Sequence, residues 1–276
     1  MFAILGGIAW HDTNVIRFHE VTIPVPGLAK QVDVLQVSDL GGNSFGTEQS
    51  ELVSAVRGQH FDAIVLTGDM LDNKRYGPIW ELAAAMRPLG DTMWYLPGNH
   101  DRAAVGLGLA ERGVPTLPTT GAVPLSVSDP MGEQAALVYG QSATTIAAAK
   151  GKGAKLLVVA SHTPPDSNRL AAGKALGSGT HLFIAGHTHG GQVRLPFLGA
   201  IVAPLSWPRE QRAPTVANEA VWWPELKRPI RYVDGAYDVD GQRIFVSRGL
   251  DCNSGKFRFL CQAEMIAYHF VPARTM

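Results

Sequence analysis

Five short stretches of polar, ligand-forming residues recur along the chain, and each follows an apolar run. Asp39 comes after Val32-Asp33-Val34-Leu35-Gln36-Val37, and Gly68-Asp69-Met70-Leu71-Asp72 after Ala63-Ile64-Val65-Leu66. Gly98-Asn99-His100-Asp101 comes after Met93-Trp94-Tyr95-Leu96, and Ser161-His162-Thr163 after Leu156-Leu157-Val158-Val159-Ala160. Gly186-His187-Thr188-His189 comes after Leu182-Phe183-Ile184-Ala185. Apolar runs of this length read as buried strands. The ends of such strands are where α/β folds place their chemistry. Carboxylate, amide and imidazole groups gathered at five strand ends fit a metal site.

Two ions about 3.5–4 Å apart could generate a nucleophile from water and clamp the oxygens of a phosphoryl group. Asp69 suits the bridging position, and Gly68 before it lets the backbone approach the ions. Asn99 offers a neutral oxygen, which limits negative charge where phosphate must bind. His162 and His187 would serve the same ion as Asn99. His189, two residues beyond His187, would join Asp39 on the other ion.

Taken in order, these motifs resemble the calcineurin-like metallophosphoesterases. The family pattern is Asp-x-His, Gly-Asp-x-x-Asp, Gly-Asn-His-Asp/Glu, a lone His, and Gly-His-x-His. Gly186-His187-Thr188-His189-Gly190-Gly191-Gln192-Val193-Arg194-Leu195-Pro196 and Val246-Ser247-Arg248-Gly249-Leu250 resemble the YkuE-like subfamily. The likeness runs from about Val21 to Phe270. It implies a four-layer α/β/β/α sandwich with two facing mixed sheets and the metals at one sheet edge. It implies two divalent ions, drawn from Mn, Fe, Zn, Co or Ni, because ligand type alone does not choose among them. It makes His100 the general acid, with Asp101 fixing its tautomer; capping a helix that starts near Arg102 is an equal reading of Asp101. Asp72 falls outside the ligand set, orienting a histidine by hydrogen bond. Arg194 and Arg248 have two readings each, phosphate contact or structural pairing.

One position departs from the pattern. Asp39-Leu40-Gly41-Gly42-Asn43 carries glycine where Asp-x-His has its second ligand. Glycine has no side chain to offer, so the first ion keeps Asp39, Asp69 and His189. That ion is expected to be the weaker of the two, with Asn43 as the candidate substitute ligand.

The resemblance implies hydrolysis of phosphate esters, mono- or diesters, by hydroxide formed on the ions, with His100 protonating the leaving group. A narrower alternative is a pyrophosphate-bond hydrolase acting on a nucleotide-linked lipid. An alternative from another class is a metal-binding scaffold of the same fold without catalysis, which Gly41 favours and the retained His100, Asn99 and His162 oppose.

Composition bounds the rest. The chain has 276 residues, 46% hydrophobic, with zero formal net charge. That suffices for one large core and gives no sign of a duplex nucleic-acid partner. Two cysteines, Cys252 and Cys261, are too few for a disulfide framework and read as buried free thiols. Residues 1–20 form an apolar N-terminal segment, and 21–276 one domain with a Pro/Trp-rich insertion at about 203–230. The opening Met1–Trp10 is too short for a span of about 20 residues. It reads as a packed segment or an interfacial anchor in preference to the remnant of a longer membrane segment. A cytoplasmic or membrane-peripheral location is the expectation, with peripheral contact made through the N-terminus. Oligomeric state is not legible.

Overall fold

Strands β2 (Val32–Val37), β3 (Phe61–Leu66) and β4 (Gly90–Tyr95) lie side by side and parallel. These elements belong to a computed structural model that describes residues 2–71, 75–149, 154–176, 180–197, 199–200, 232–252 and 257–273. Asp72 and the insertion at 203–230, with Trp207, Trp222 and Trp223, lie outside the described residues. The last strand of the chain, β13 (Glu264–Pro272), inserts antiparallel beside β2. It also pairs in parallel with β1 (Arg17–Val25), completing a five-stranded sheet of order β1-β13-β2-β3-β4. Pro24 therefore sits on an edge strand, where a missing N–H is tolerated. β1 begins at Arg17, inside the segment set apart as 1–20 by sequence.

The second sheet has six strands. β5 (Ala122–Pro124), β6 (Ala135–Tyr139), β7 (Leu156–Ala160), β8 (Thr180–Ala185), β11 (Gly235–Val239) and β12 (Gln242–Val246) take the order β11-β12-β8-β7-β6-β5. Its four central strands are parallel and its two edge strands antiparallel. A short ribbon, β9 (Arg194–Leu195) with β10 (Gly199–Ala200), stands apart.

Side-chain alternation along the strands builds four layers. β2 sends Leu35 and Val37 toward helices α2 (Ser50–Ala55), α3 (Gly77–Met86) and α4 (Ala103–Ala110), where they meet Leu52, Leu82 and Val105. Val34 faces the other way, into a core shared with Leu137, Val158 and Ile184 of the second sheet. β7 repeats the pattern, with Leu157 and Val159 packing under α5 (Ala143–Ala147) and α6 (Ser167–Lys174). The expected α/β/β/α sandwich of two mixed sheets is the fold of this chain.

One polar network is buried between the sheets. Gln36 donates through Nε2 to Thr67 Oγ1 and to the Ala185 carbonyl, each at 3.0 Å, and accepts from the Tyr268 hydroxyl at 2.7 Å. A buried amide is stable only when satisfied. Here its bonds fix β2, β3, β8 and β13 relative to one another just below the edge where the ligand motifs emerge.

The apolar N-terminus forms helix α1 (Phe2–Asn14). Its last turn is docked on residues 258–263. The Ala263 N–H donates to the Asp12 carbonyl at 2.9 Å, the Cys261 N–H to the Asp12 carboxylate at 3.2 Å, and the Arg258 N–H to Thr13 Oγ1 at 2.8 Å. Ile4 and Trp10 remain about two-thirds exposed. Among the described residues no helix is long and apolar enough to cross a membrane. Cys252 and Cys261 are free thiols.

Candidate metal centre

The loops after β2, β3 and β12 are laced together by main-chain bonds. Asp39 N donates to Gly68 O at 2.9 Å and Gly41 N to Asp69 O at 3.0 Å. Leu250 N donates to Ser38 O at 3.0 Å and Asp251 N to Asp39 O at 2.6 Å. The expected ligands are presented on strained backbone. Asp39, Asp69, His187 and His189 have φ of 53°, 51°, 72° and 50°. Each such residue costs roughly 1–2 kcal/mol and persists only where its surroundings hold it. The motif glycines make room for this packing. A Cβ on Gly98 would lie 2.1 Å from Asp69 Oδ1, and one on Gly186 would lie 1.9 Å from Ser38 Oγ.

Four donor atoms converge at His162. Its Nδ1 is 3.0 Å from the Thr67 carbonyl, so that nitrogen carries a proton. Its Nε2 is then 3.1 Å from Asp69 Oδ2, 3.0 Å from Asn99 Oδ1 and 3.0 Å from His187 Nδ1. Among the described residues, Asp69, His162 and His187 form the group of three ligand types with all chosen atoms within 4.8 Å of one another. Two carbonyl-type oxygens and two ring nitrogens aimed at one point cannot satisfy each other by hydrogen bonds, since a single proton on Nε2 serves one partner well. A cation serves all four. The donor set therefore fits a divalent ion.

Electrostatics agree with that reading. Burial alone lowers the His162 pKa, but the hydrogen bond to Asp69 and the charges of Asp39 and Asp69 outweigh it and raise it to about 9. Without an ion, a proton is the stand-in. Burial, reinforced by the His162 charge, depresses His187 to about 3. Burial, with the Arg258 charge, depresses His189 to about 4. Both rings are thus neutral and keep a lone pair for a metal. Burial raises Asp39 to about 6, whereas contacts with His162 and the His100 N–H hold Asp69 below the usual carboxylate range despite its burial.

His189 repeats the orientation of His162. Nδ1 lies 3.1 Å from the Asp251 carbonyl, leaving Nε2 3.8 Å from Asp39 Oδ1. A ring nitrogen donating to a backbone carbonyl while the other faces the centre is the usual second contact of a metal-binding histidine. Asp39 is completely buried and also accepts from the His187 N–H at 3.1 Å.

The remaining expected residues are placed as follows. His100 and Asn99 are solvent-exposed, and the His100 N–H donates to Asp69 Oδ1 at 2.8 Å. Asp101 does not cap α4, whose N-cap is Arg102 with no side-chain bond. Its two oxygens accept from the N–H groups of Leu71 at 2.9 Å and Gly98 at 3.0 Å. Arg194 and Arg248 share one partner, Asp234, at 2.5 and 2.8 Å. Asn43 donates to Asp251 Oδ1 at 2.6 Å.

Two residues of this region had not been singled out. Asp251 directly follows the Val246–Leu250 stretch that carries part of the resemblance. Arg258 is fully buried and donates to the carbonyls of His189, Arg248, Gly249 and Asp251. No spacing announces it, because it acts on backbone atoms of distant loops.

The family model for calcineurin-like phosphoesterases matches residues 32–191. Among curated proteins, the chain is 28% identical over 222 residues to the uncharacterized metallophosphoesterase YkuE of Bacillus subtilis (strain 168). That match covers 75% of this chain and 67% of the relative.

Proposed function

Because this chain belongs to the calcineurin-like phosphoesterase family, we propose that it hydrolyses phosphate esters at a two-ion centre. One ion would be held by Asp69, Asn99, His162 and His187, the other by Asp69, Asp39 and His189. The observation that carries the proposal is the convergence of Asp69, Asn99 and His187 on His162 Nε2 within 3.1 Å. When bound, the ions supply an activated water and neutralise charge on the phosphoryl oxygens. The residues do the rest. Asp69, anchored by the His100 N–H, fixes the two sides of the centre relative to each other. His100 gives a proton to the leaving-group oxygen, with Asp101 holding its loop by clamping Gly98 to Leu71. Arg194 and Arg248, both on Asp234, stay with structural pairing.

A groove of about 1120 Å³ opens beside this centre. Trp10 and Phe18 give it apolar wall, Ser44, Glu51 and Arg57 give it polar wall, and Asn43 and Asp251 stand where it meets the metal loops. Walls of both kinds support an ester with a sizeable amphipathic arm, of which a nucleotide-linked lipid pyrophosphate is an example. Ile4, Leu5 and Trp10, exposed on α1, are the apolar surface that supports peripheral contact with a membrane that carries such a substrate.

The test is to strip the protein of metal and reload it with Mn2+, Co2+, Zn2+, Ni2+ or Fe2+ in turn. Each form is then assayed on nitrophenyl phosphate mono- and diesters and on a nucleotide-linked lipid pyrophosphate. Hydrolysis dependent on metal is expected. Trp10→Ala should raise KM for the lipid-linked substrate and leave that for the small diester unchanged. A protein that carries two ions and turns over no ester would be the scaffold of the alternative reading.

A further inference from the structure

We propose that Asp251 replaces the missing histidine at position 41 as a ligand of the ion held by Asp39 and His189. The inference rests on the two-ion part of the reading above and not on its catalytic part.

The space that a side chain at position 41 would occupy is filled. A Cβ built on Gly41 would lie 2.3 Å from the Asp251 carboxyl carbon, 2.4 Å from Oδ2 and 2.8 Å from Oδ1. Asp251 thus delivers a carboxylate to the place from which residue 41 would reach the centre. Its position is not incidental. The Asp251 N–H donates to the Asp39 carbonyl, so its backbone runs alongside the first ligand of that ion. Its own carbonyl accepts from His189 Nδ1, so the same residue orients the second ligand. Arg258 donates to that carbonyl too, fixing the main chain from behind. Asp251 is 8% exposed, so its carboxylate is held within the packed loops of the centre.

Asn43 takes a supporting part. Its amide nitrogen donates to Asp251 Oδ1 at 2.6 Å, which engages the donor side of the amide and steers the carboxylate. A carboxylate can bind an ion and accept a hydrogen bond at once, so the two contacts are compatible.

The exchange changes the chemistry of the site. With Asp251, the ion would see carboxylates from Asp39, Asp69 and Asp251 and one imidazole from His189. The other ion would see one carboxylate, one amide and two imidazoles. Oxygen-rich sets suit harder ions such as Mn2+, and imidazole-rich sets suit Zn2+ or Ni2+. The two positions should therefore differ in metal preference. Gly41 and Asp251 also form one unit: with φ at +61° and the carboxylate in the way, no side chain enters at 41 while Asp251 stays.

The experiment counts metal and needs no substrate. Metal-free protein is titrated with Mn2+, desalted and analysed for bound ions by mass spectrometry, with binding constants taken from the titration. The unmodified protein should hold two ions. Asp251→Asn and Asp251→Ser should keep one and weaken the other by roughly 100-fold or more, since even outer contacts to ligands are worth about 10–100-fold. Asn43→Ala should cost less, about 10-fold, by loosening the carboxylate. Gly41→His alone should lower the melting temperature and restore nothing. Gly41→His combined with Asp251→Gly should recover two ions and shift the second site toward Zn2+. Circular dichroism of the chelated variants checks that they are folded, and the double variant tests the exchange even where a single variant is not. The proposal is overturned if the Asp251 variants bind two ions as tightly as the unmodified protein, if that protein holds only one, or if Asn43→Ala costs as much as Asp251→Asn. A protein with two ions and no esterase activity would sink the proposed function and leave this assignment standing. An active enzyme indifferent to Asp251 would do the reverse.

Discussion

Arg258 Nη1 donates to the His189 carbonyl at 3.2 Å, so a cation buried in the fold holds in place the loop that presents a proposed metal ligand. The same guanidinium reaches the Arg248, Gly249 and Asp251 carbonyls, and its backbone N–H meets Thr13 on α1. One residue thus ties the N-terminal helix, the loop after β12 and the His189 turn. Arg258→Lys keeps the charge but cannot fork to several carbonyls. Urea denaturation should show a loss of about 1–3 kcal/mol, the scale for leaving buried carbonyls without their donors. Affinity for the ion near His189 should fall alongside. A variant as stable as the parent would show that these contacts do not hold the loop.

His100 is expected to act on the leaving group. His100→Ala should lower kcat by roughly 10²–10⁴ for esters of poor leaving groups, with metal content unchanged. For nitrophenolate esters, which depart without protonation, the loss should be small. Equal losses across a leaving-group series would remove His100 from the role.

Asp101 positions that histidine through the backbone. Asp101→Asn leaves one oxygen for two N–H donors and turns an amide NH2 toward the other. The expected cost is about 1–3 kcal/mol of stability. The kcat for poor leaving groups should fall, with bound metal unaffected. If the variant instead loses both ions, Asp101 belongs to the metal centre itself.

Removing metal should expose a proton in its place. The pKa of His162 is raised in the fold to about 9 from 6.5, chiefly by Asp69 and Asp39 acting against burial. A group raised in the folded state lends stability in full below its unfolded value and loses it as pH climbs through the folded one. The melting temperature of chelator-treated protein should therefore decline between pH 6.5 and 9. Saturating Mn2+ should flatten most of that decline, because the ion takes the place of the proton. A metal-free protein indifferent to pH across this window would argue against the His162–Asp69 pairing.

Gly98 offers a steric test. A methyl group there would lie 2.1 Å from Asp69 Oδ1 and 2.2 Å from its N–H nitrogen. Gly98→Ala should displace the shared carboxylate and reduce the affinity of both ions together. Loss of a single ion would mean that Asp69 does not bridge.

The amino-acid order by itself marked out the central strands of the sheets and a candidate set of ligands. Apolar runs as short as Ala63–Leu66 and Leu156–Ala160 suit buried strands better than helices, and a glycine or serine followed by a ligand type comes within two residues of each. Strand ends in such a fold come to one edge, so Asp39, Asp69, Asn99, His162, His187 and His189 were legible as a set. Other features depended on contacts between segments far apart in the chain. Nothing local says that β13 inserts between β1 and β2, parallel to the first and antiparallel to the second, since its pairing is decided by the sheet that receives it. The N-terminal apolar stretch is a helix because its last turn finds partners on residues 258–263. The filling of the gap at Gly41 is of the same kind. Asp251 lies 210 positions away and reaches it only because the loop after β12 is hydrogen-bonded along Ser38 and Asp39. A motif records which residue a position lacks, and only the packing of distant loops shows what stands in the space.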